Sequence, residues 1–92
     1  MKEKLSNMPY AQCEVVRDEY GAITLVSYTT AVINIDPEGW LTCSGLYSMT
    51  TRKHISAFMK VYTDLTFADA KKCYEEHKTV NIYSHKWETL YP

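Results

Sequence analysis

The chain has 92 residues, of which 46% are hydrophobic and 23% are charged, and its formal net charge is -1. A chain of this length and composition folds as one globular domain with a thin core, which excludes a disordered tail. The near balance of basic and acidic residues also excludes a global field that would draw the chain onto nucleic acid or an anionic membrane.

We expect neither a membrane-spanning segment nor a secretion signal in this sequence. Its apolar runs are far shorter than the roughly 20 residues that span a bilayer, and residues 1–8 lack the apolar core of a signal peptide. Cys13, Cys43 and Cys73 are odd in number and far apart, which favours reduced thiols over a disulfide framework. We therefore expect a cytoplasmic protein.

In chain order, residues 1–10 come first, and they are polar up to Pro9. We expect a flexible N-terminal segment that contacts the rest of the protein through Leu5 or Met8 at most. Residues 11–92 are predicted to form a single α+β domain, because no linker, repeat or low-complexity run interrupts them.

Extended segments rich in β-branched and aromatic residues follow. Asp36-Pro37-Glu38-Gly39 is the clearest turn, with Asp, Pro and Gly at the positions that a type I turn prefers. Residues 22–35 could form one bent strand or two, and both alternatives stay open. The predicted strands cover residues 12–17, 22–35 and 40–44.

The spacing of apolar residues becomes helical after residue 50. Thr51, Ile55, Phe58 and Tyr62 fall on one face, which predicts an amphipathic helix. A capping box in residues 66–69 then predicts a second helix from Phe67 to about His77.

Alternation resumes in residues 79–83, and Trp87, Leu90 and Tyr91 could pin the tail to the core. The predicted fold class is α+β. We expect an antiparallel β-meander of three to four strands, followed by two amphipathic helices packed on one face of the sheet. A C-terminal edge strand at residues 79–83 is an open alternative.

The start of the first helix is the most informative segment. Free N–H groups at a helix N-terminus carry partial positive charge, so Arg52 and Lys53 are locally unfavourable there. They could mark a bound phosphate, held also by the hydroxyls of Ser48, Thr50 or Thr51, or an acidic partner protein. The alternative is that one hydroxyl caps the helix and both cations point into water.

Catalytic and metal patterns are weak. His54 could act as an acid, a base or a ligand, but a lone histidine beside an apolar stripe is more often scaffold. Cys73 and His77 stand at i and i+4 of a helix without a recognised set of further zinc ligands, and Cys43 with His54 lacks the signature of a nucleophilic pair. We expect no enzyme activity, no catalytic residue, no cofactor and no metal.

Two segments resemble a group of small proteins from phages and mobile elements of Gram-positive and gut bacteria. They are Ser27-Tyr28-Thr29-Thr30-Ala31-Val32-Ile33 and Tyr47-Ser48-Met49-Thr50-Thr51-Arg52-Lys53-His54-Ile55-Ser56-Ala57-Phe58. The shared pattern is S-Y-x-T-x-V followed by Y-S-x-T-T-x-x-H-I-x-x-F. The resemblance implies a genomic context and gives weight to Thr50, Thr51 and His54.

These observations favour a non-catalytic accessory protein that binds and modulates or blocks a macromolecular partner. By analogy with anti-CRISPR inhibitors, the partner would be a host or defence protein. The alternative is a nucleic-acid or phosphate-binding module that uses the helix start. Aromatic residues and arginine dominate interface hot spots, and the candidate binding residues are Trp40, Tyr47, Ser48, Thr50, Thr51, Arg52, Lys53 and His54.

Overall fold

The structure is a computed structural model that describes residues 1–90. In chain order its elements are β1 (Lys2–Glu3), β2 (Cys13–Arg17), β3 (Ile23–Ser27), β4 (Thr30–Ile35), β5 (Trp40–Cys43), α1 (Met49–Tyr62), α2 (Phe67–Glu75), β6 (Lys78–Asn81) and β7 (Trp87–Thr89). The strands form one antiparallel sheet in the order β1 to β7. Tyr91, which we expected to pin the tail, lies outside the described residues.

The predicted meander of three to four strands is wrong. The sheet has seven strands, and both helices pack against it, so this is an α+β fold with a longer meander. The strands that the sequence analysis missed are β1 and β7, with two and three residues. Such short strands carry too few residues for an alternating pattern, and only pairing with distant neighbours makes them visible.

Alternation along the central strands places one apolar face under the helices. Val15, Leu25, Ile33 and Cys43 stand opposite one another across β2 to β5 and are buried. A register shift after Leu25 inserts Val32 as an extra residue, so two consecutive residues of β4 are buried. Three side chains of α1 complete this core, namely Ile55, Phe58 and Met59.

Residues 1–10, which we expected to be a flexible segment outside the domain, take part in its packing. Strand β1 pairs with β2, and the side chain of Leu5 is fully buried. The Tyr62 hydroxyl donates to Oε1 of Glu3 at 2.6 Å, and Nε of Arg17 donates to the same oxygen at 3.0 Å. These hydrogen bonds lower the pKa of the Glu3 carboxyl and join the N-terminus to the end of α1.

The C-terminal part also differs from the expected edge strand. Strand β6 lies between β5 and β7 and is therefore internal, while β7 forms the edge. Trp87 of β7 packs under α2, where the Lys72 ammonium lies 4.6 Å from the centre of its indole ring. Neither of the helices within residues 1–90 is long and apolar enough to cross a bilayer.

Candidate functional site

The turn between β3 and β4 meets the start of α1 at one end of the sheet, which we call the corner. Four hydrogen-bonding residues form the corner cluster, and these are Ser27, Ser48, Thr51 and His54. The side chains that surround the cluster and face solvent form the corner surface, and these are Tyr28, Tyr47, Met49, Thr50, Arg52 and Lys53.

Ser48 is the N-cap of α1. Its backbone is extended, and its Oγ accepts the N–H of Thr51 at 3.1 Å, so the hydroxyl cap that the sequence indicates is present. Thr51 and His54 lie one turn apart and face inward, where 3% and 1% of their surfaces are exposed. Both reach Ser27 at the end of β3, and its Oγ lies 3.1 Å from Oγ1 of Thr51 and 2.9 Å from Nδ1 of His54.

The polar side chains of the cluster satisfy one another. Ser48 donates its hydrogen to Oγ1 of Thr51 at 3.2 Å, and Thr51 and Ser27 share a hydrogen bond in which either hydroxyl can donate. Ser27 also bonds Nδ1 of His54, because its hydroxyl can give a hydrogen to a ring nitrogen or accept one from a ring N–H. Each of these four side chains therefore has a partner inside the cluster.

The cluster contains a hydroxyl and an imidazole, which could serve as a nucleophile and a base, but a substrate cannot reach them. Ser27 is 2% exposed, so a substrate carbonyl or phosphate cannot reach its Oγ. Within residues 1–90 no carboxylate forms an ion pair with His54, and burial lowers its pKa below the ordinary value of 6.5. The arrangement therefore fixes a neutral histidine that connects α1 to β3, which is a scaffold role.

Tyr28 is the first residue of the two-residue loop that joins β3 to β4, and its φ is +57°. That left-handed conformation is unfavourable for a bulky side chain and is where glycine is preferred in such loops. The backbone N–H donates to the carbonyl of Gln12 at 2.7 Å, and the ring lies against His54, with 5.7 Å between the ring centroids. Yet 55% of the residue is exposed, so the strained position presents an aromatic ring to solvent.

A pair of variants tests this strain. Tyr28→Gly relieves the positive φ and loses the ring, whereas Tyr28→Ala loses the ring and keeps the strain. We expect the glycine variant to have the larger free energy of unfolding, by about 1 kcal/mol, in urea denaturation followed by circular dichroism. An alanine variant as stable as the glycine variant would show that the loop is unstrained.

Tyr47 and Met49 flank the cap and are 67% and 72% exposed. The Tyr47 ring lies directly over Gly45, where a Cβ would collide with it, and its hydroxyl donates to the carbonyl of Ser44 at 3.4 Å. Ser44 in turn bonds the start of β4 through its hydroxyl and the carbonyl of Ala31. The exposed ring of Tyr47 is thus held in one place by the backbone beneath it.

Arg52 and Lys53 follow in the second turn of α1, whose first turn contains no acidic residue. Neither cation forms an ion pair with any carboxylate of residues 1–90. The chain has no Asp or Glu between residues 39 and 63, whereas carboxylates occupy the turns at the opposite end of the sheet. The two cations are therefore available to an external group.

The structure brings together all but one of the predicted binding residues. Ser48, Thr51 and His54 are in the cluster, and Tyr47, Thr50, Arg52 and Lys53 surround it. Trp40 is the exception, because it begins β5 next to the turn at residues 36–39, while the corner adjoins the end of that strand. Sequence reasoning did not select Ser27 and Tyr28 as site residues, although both belong to the pattern S-Y-x-T-x-V.

The cysteines offer no second site of chemistry. Burial raises the pKa of Cys43 and of Cys13, and burial together with the neighbouring Cys43 and Asp69 raises that of Cys73 to about 12. Cys43 and Cys73 line an open cleft of about 450 Å³ with His77, but no group of three or more potential ligands within residues 1–90 is arranged for a metal ion. The structure does not pair Cys43 with His54, since His54 is bonded to Ser27.

Comparison with known proteins places the corner inside a family. Residues 3–79 match the profile of the family described as "Family of unknown function (DUF8033)". The chain belongs to the DUF8033 family. The matched range includes β2 to β5, both helices and therefore the whole corner. No curated protein and no solved structure matched the chain.

Proposed function

We propose that this DUF8033 protein acts without catalysis, by binding a macromolecular partner through the corner surface. One observation carries the proposal: the Ser27 hydroxyl and the His54 imidazole are buried and bonded to each other, while aromatic, thioether and lysine side chains are exposed directly around them and Arg52 is half-exposed. The hydrogen-bonded cluster beneath them holds those side chains in place, so they lose less conformational entropy when a partner binds.

The composition of the corner surface fits a protein partner. Interfaces are enriched in aromatic residues, methionine and arginine, and tyrosine and arginine are frequent hot spots. Tyr28, Tyr47, Met49 and Arg52 supply these types within one end of the molecule. The strained backbone of Tyr28 supports the same proposal, because residues with strained backbones cluster at functional sites.

The sequence pattern suggests what the partner is. The resemblance to small phage and mobile-element proteins supports a role in the cytoplasm of a bacterial host, where the partner would be a host or defence protein. The protein would then modulate or block that partner by occlusion, as anti-CRISPR inhibitors do. This part of the proposal is an analogy between small proteins of one genomic context.

A second candidate is phosphate or nucleic-acid binding at the start of α1. The N–H groups of Met49 and Thr50 have no hydrogen-bond partner within residues 1–90, and Arg52 and Lys53 lie beside them. Affinity for nucleic acid comes largely from Lys and Arg that neutralise several phosphates, and the start of α1 supplies two such cations. The protein partner is therefore favoured.

Affinity capture with matched charge variants tests both candidates. A tagged Arg52→Ala/Lys53→Ala protein should lose at least about tenfold of the captured partner, with stability changed by no more than about 0.5 kcal/mol. Lys71→Ala/Lys86→Ala removes the same charge elsewhere and should capture as wild type does. Equal capture by both variants would contradict the proposal, and a signal removed by nuclease would select the nucleic-acid candidate.

A further inference from the structure

The solvent-facing side of α1 continues the corner surface along the helix as a strip of polar and cationic side chains. Five residues that are exposed or half-exposed recur there at helical spacing, and we call them the α1 strip: Met49, Arg52, Lys53, Ser56 and Lys60. At a rise of about 1.5 Å per residue, the strip from Met49 to Lys60 is about 17 Å long.

No carboxylate of residues 1–90 forms an ion pair with the three cations of the strip. Helix α1 contains no Asp or Glu, although an acidic residue four positions from a lysine commonly stabilises a helix. The next carboxylates in the chain have other partners. Asp64 lies 2.9 Å from Nε2 of His85, and Asp69 accepts hydrogen bonds from the cap residue Thr66. The strip is therefore a positive surface that is complementary to an acidic one.

A cavity of about 280 Å³ opens beside the far end of the strip, where α2 begins. Met59, Leu65 and Phe67 form apolar parts of its wall, and Ser56 and Lys60 of the strip line it as well. Sites for small molecules commonly have volumes of about 300–1,000 Å³, so this cavity has the size for one side chain of a partner. An apolar subsite thus adjoins a cationic one.

We propose that α1 binds an acidic protein segment that inserts one large apolar side chain into this cavity. Lys53 and Lys60 are seven positions apart, so carboxylates that meet both are about 10 Å apart in the partner. That separation corresponds to about seven positions on a helix or three on a strand. The apolar residue lies beside the carboxylate that meets Lys60. This inference rests on the proposed function and names the chemistry of its partner.

The cavity is what favours a peptide over nucleic acid. Phosphates would satisfy the cations of the strip as well as carboxylates do. Sites for single-stranded nucleic acid, however, present aromatic side chains on which successive bases stack, whereas Met59 and Leu65 of the cavity are not aromatic. A peptide places an apolar side chain next to a carboxylate on one backbone, which is the arrangement that the strip and the cavity accept together.

Selection from a displayed library of random peptides tests the partner's chemistry, with the folded wild-type protein as bait. Peptides of about 15 residues are long enough to cover the strip as a helix. The selected peptides should be enriched in Asp and Glu and should share one large apolar residue. Binding of the leading peptide should weaken as the salt concentration rises from about 50 to 200 mM, because salt screens the exposed cations.

Three variants locate the bound peptide. Lys60→Gln should weaken its binding by at least about fivefold, and Ala68→Trp should do so by at least about tenfold, because Ala68 is exposed and lines the cavity that the new ring would occupy. Lys86→Gln removes a charge from the hairpin between β6 and β7 and should bind as wild type does. Urea denaturation should show wild-type stability for all three.

The inference is overturned if no peptide is selected, if the selected peptides are not acidic, or if Lys60→Gln and Ala68→Trp bind as wild type does. Tighter binding of a single-stranded oligonucleotide of about 15 nucleotides than of the leading peptide would also overturn it and assign the strip to nucleic acid.

These outcomes are distinguishable from failure of the proposed function, because Lys60 and Ala68 lie outside the corner surface. Capture that is lost in Arg52→Ala/Lys53→Ala but kept in Lys60→Gln and Ala68→Trp would retain the proposed function and remove this inference. Acidic peptides that bind the strip, combined with capture that Arg52→Ala/Lys53→Ala leaves unchanged, would support the strip as a binding site and contradict the corner surface.

Discussion

Replacement of Phe58 by alanine is expected to lower the free energy of unfolding by about 3–5 kcal/mol. Phe58 is fully buried between α1 and the sheet and stacks on Tyr62, with 4.8 Å between the ring centroids and 23° between the planes. It lies in the middle of α1, so its removal leaves a cavity that neither the helix nor the sheet can close. Urea denaturation followed by circular dichroism measures the loss.

Lys60→Ala is the matched control on the same helix. Its side chain is exposed, and the change in stability should stay within about 0.5 kcal/mol. Small domains have about 5–15 kcal/mol of stability, so the Phe58 variant should be marginally folded at 37 °C while the control is unaffected. A loss below about 1 kcal/mol for Phe58→Ala would contradict the packing of α1 on the sheet.

Leu5→Ala is expected to lower the free energy of unfolding by about 2–5 kcal/mol, although Leu5 lies only four positions after Met1. Leu5 is fully buried and belongs to the same hydrophobic cluster as Val15 and Phe58. Removal of residues 1–8 should have a larger effect, since it also removes β1 and the hydrogen bonds of Glu3 with Arg17 and Tyr62. Thermal and urea unfolding measure both.

Ser6→Ala is the control, because Ser6 is exposed and adjacent to Leu5. This variant should be as stable as wild type. If Leu5→Ala and the truncated protein also unfolded like wild type, residues 1–10 would be the flexible segment that their polar composition suggests, and their packing in the structure would be contradicted.

Local signals in the sequence were sufficient for elements defined by neighbouring residues. The turn at Asp36 forms as expected, with the Gly39 N–H donating to the Asp36 carbonyl at 2.9 Å. The capping box of Thr66 and Asp69 starts α2 at the predicted residue. Each of these features depends on side chains within four positions of one another, which is the range that sequence patterns describe.

Features that depend on distant residues were beyond such patterns. Strand β1 has two residues, Lys2 and Glu3, and is defined only by its partner in β2. In the corner, Ser27 meets His54 across 27 positions of the chain. Nothing in the local environment of a serine at the end of a strand indicates that partner, so the histidine was recognised as scaffold without its hydrogen-bond partner.

The structure separates the residues at the start of α1 into two groups with different surroundings. The cap, the buried histidine and the two cations were one crowded segment in the sequence. In the fold they separate into an inner layer that holds α1 to β3 and an outer layer that faces solvent. A variant of the outer layer can therefore remove binding without unfolding the protein, which makes the proposal testable by matched substitutions.

Site-specific photo-crosslinking in cells of the organism that carries the gene tests the central claim most directly. A photoreactive amino acid would replace Tyr47 in the corner surface or Tyr20 in the turn at the opposite end of the sheet, which are 67% and 74% exposed. We predict a discrete protein adduct from position 47 and none from position 20. Equal adducts from both positions, or none from position 47, would contradict binding through the corner surface.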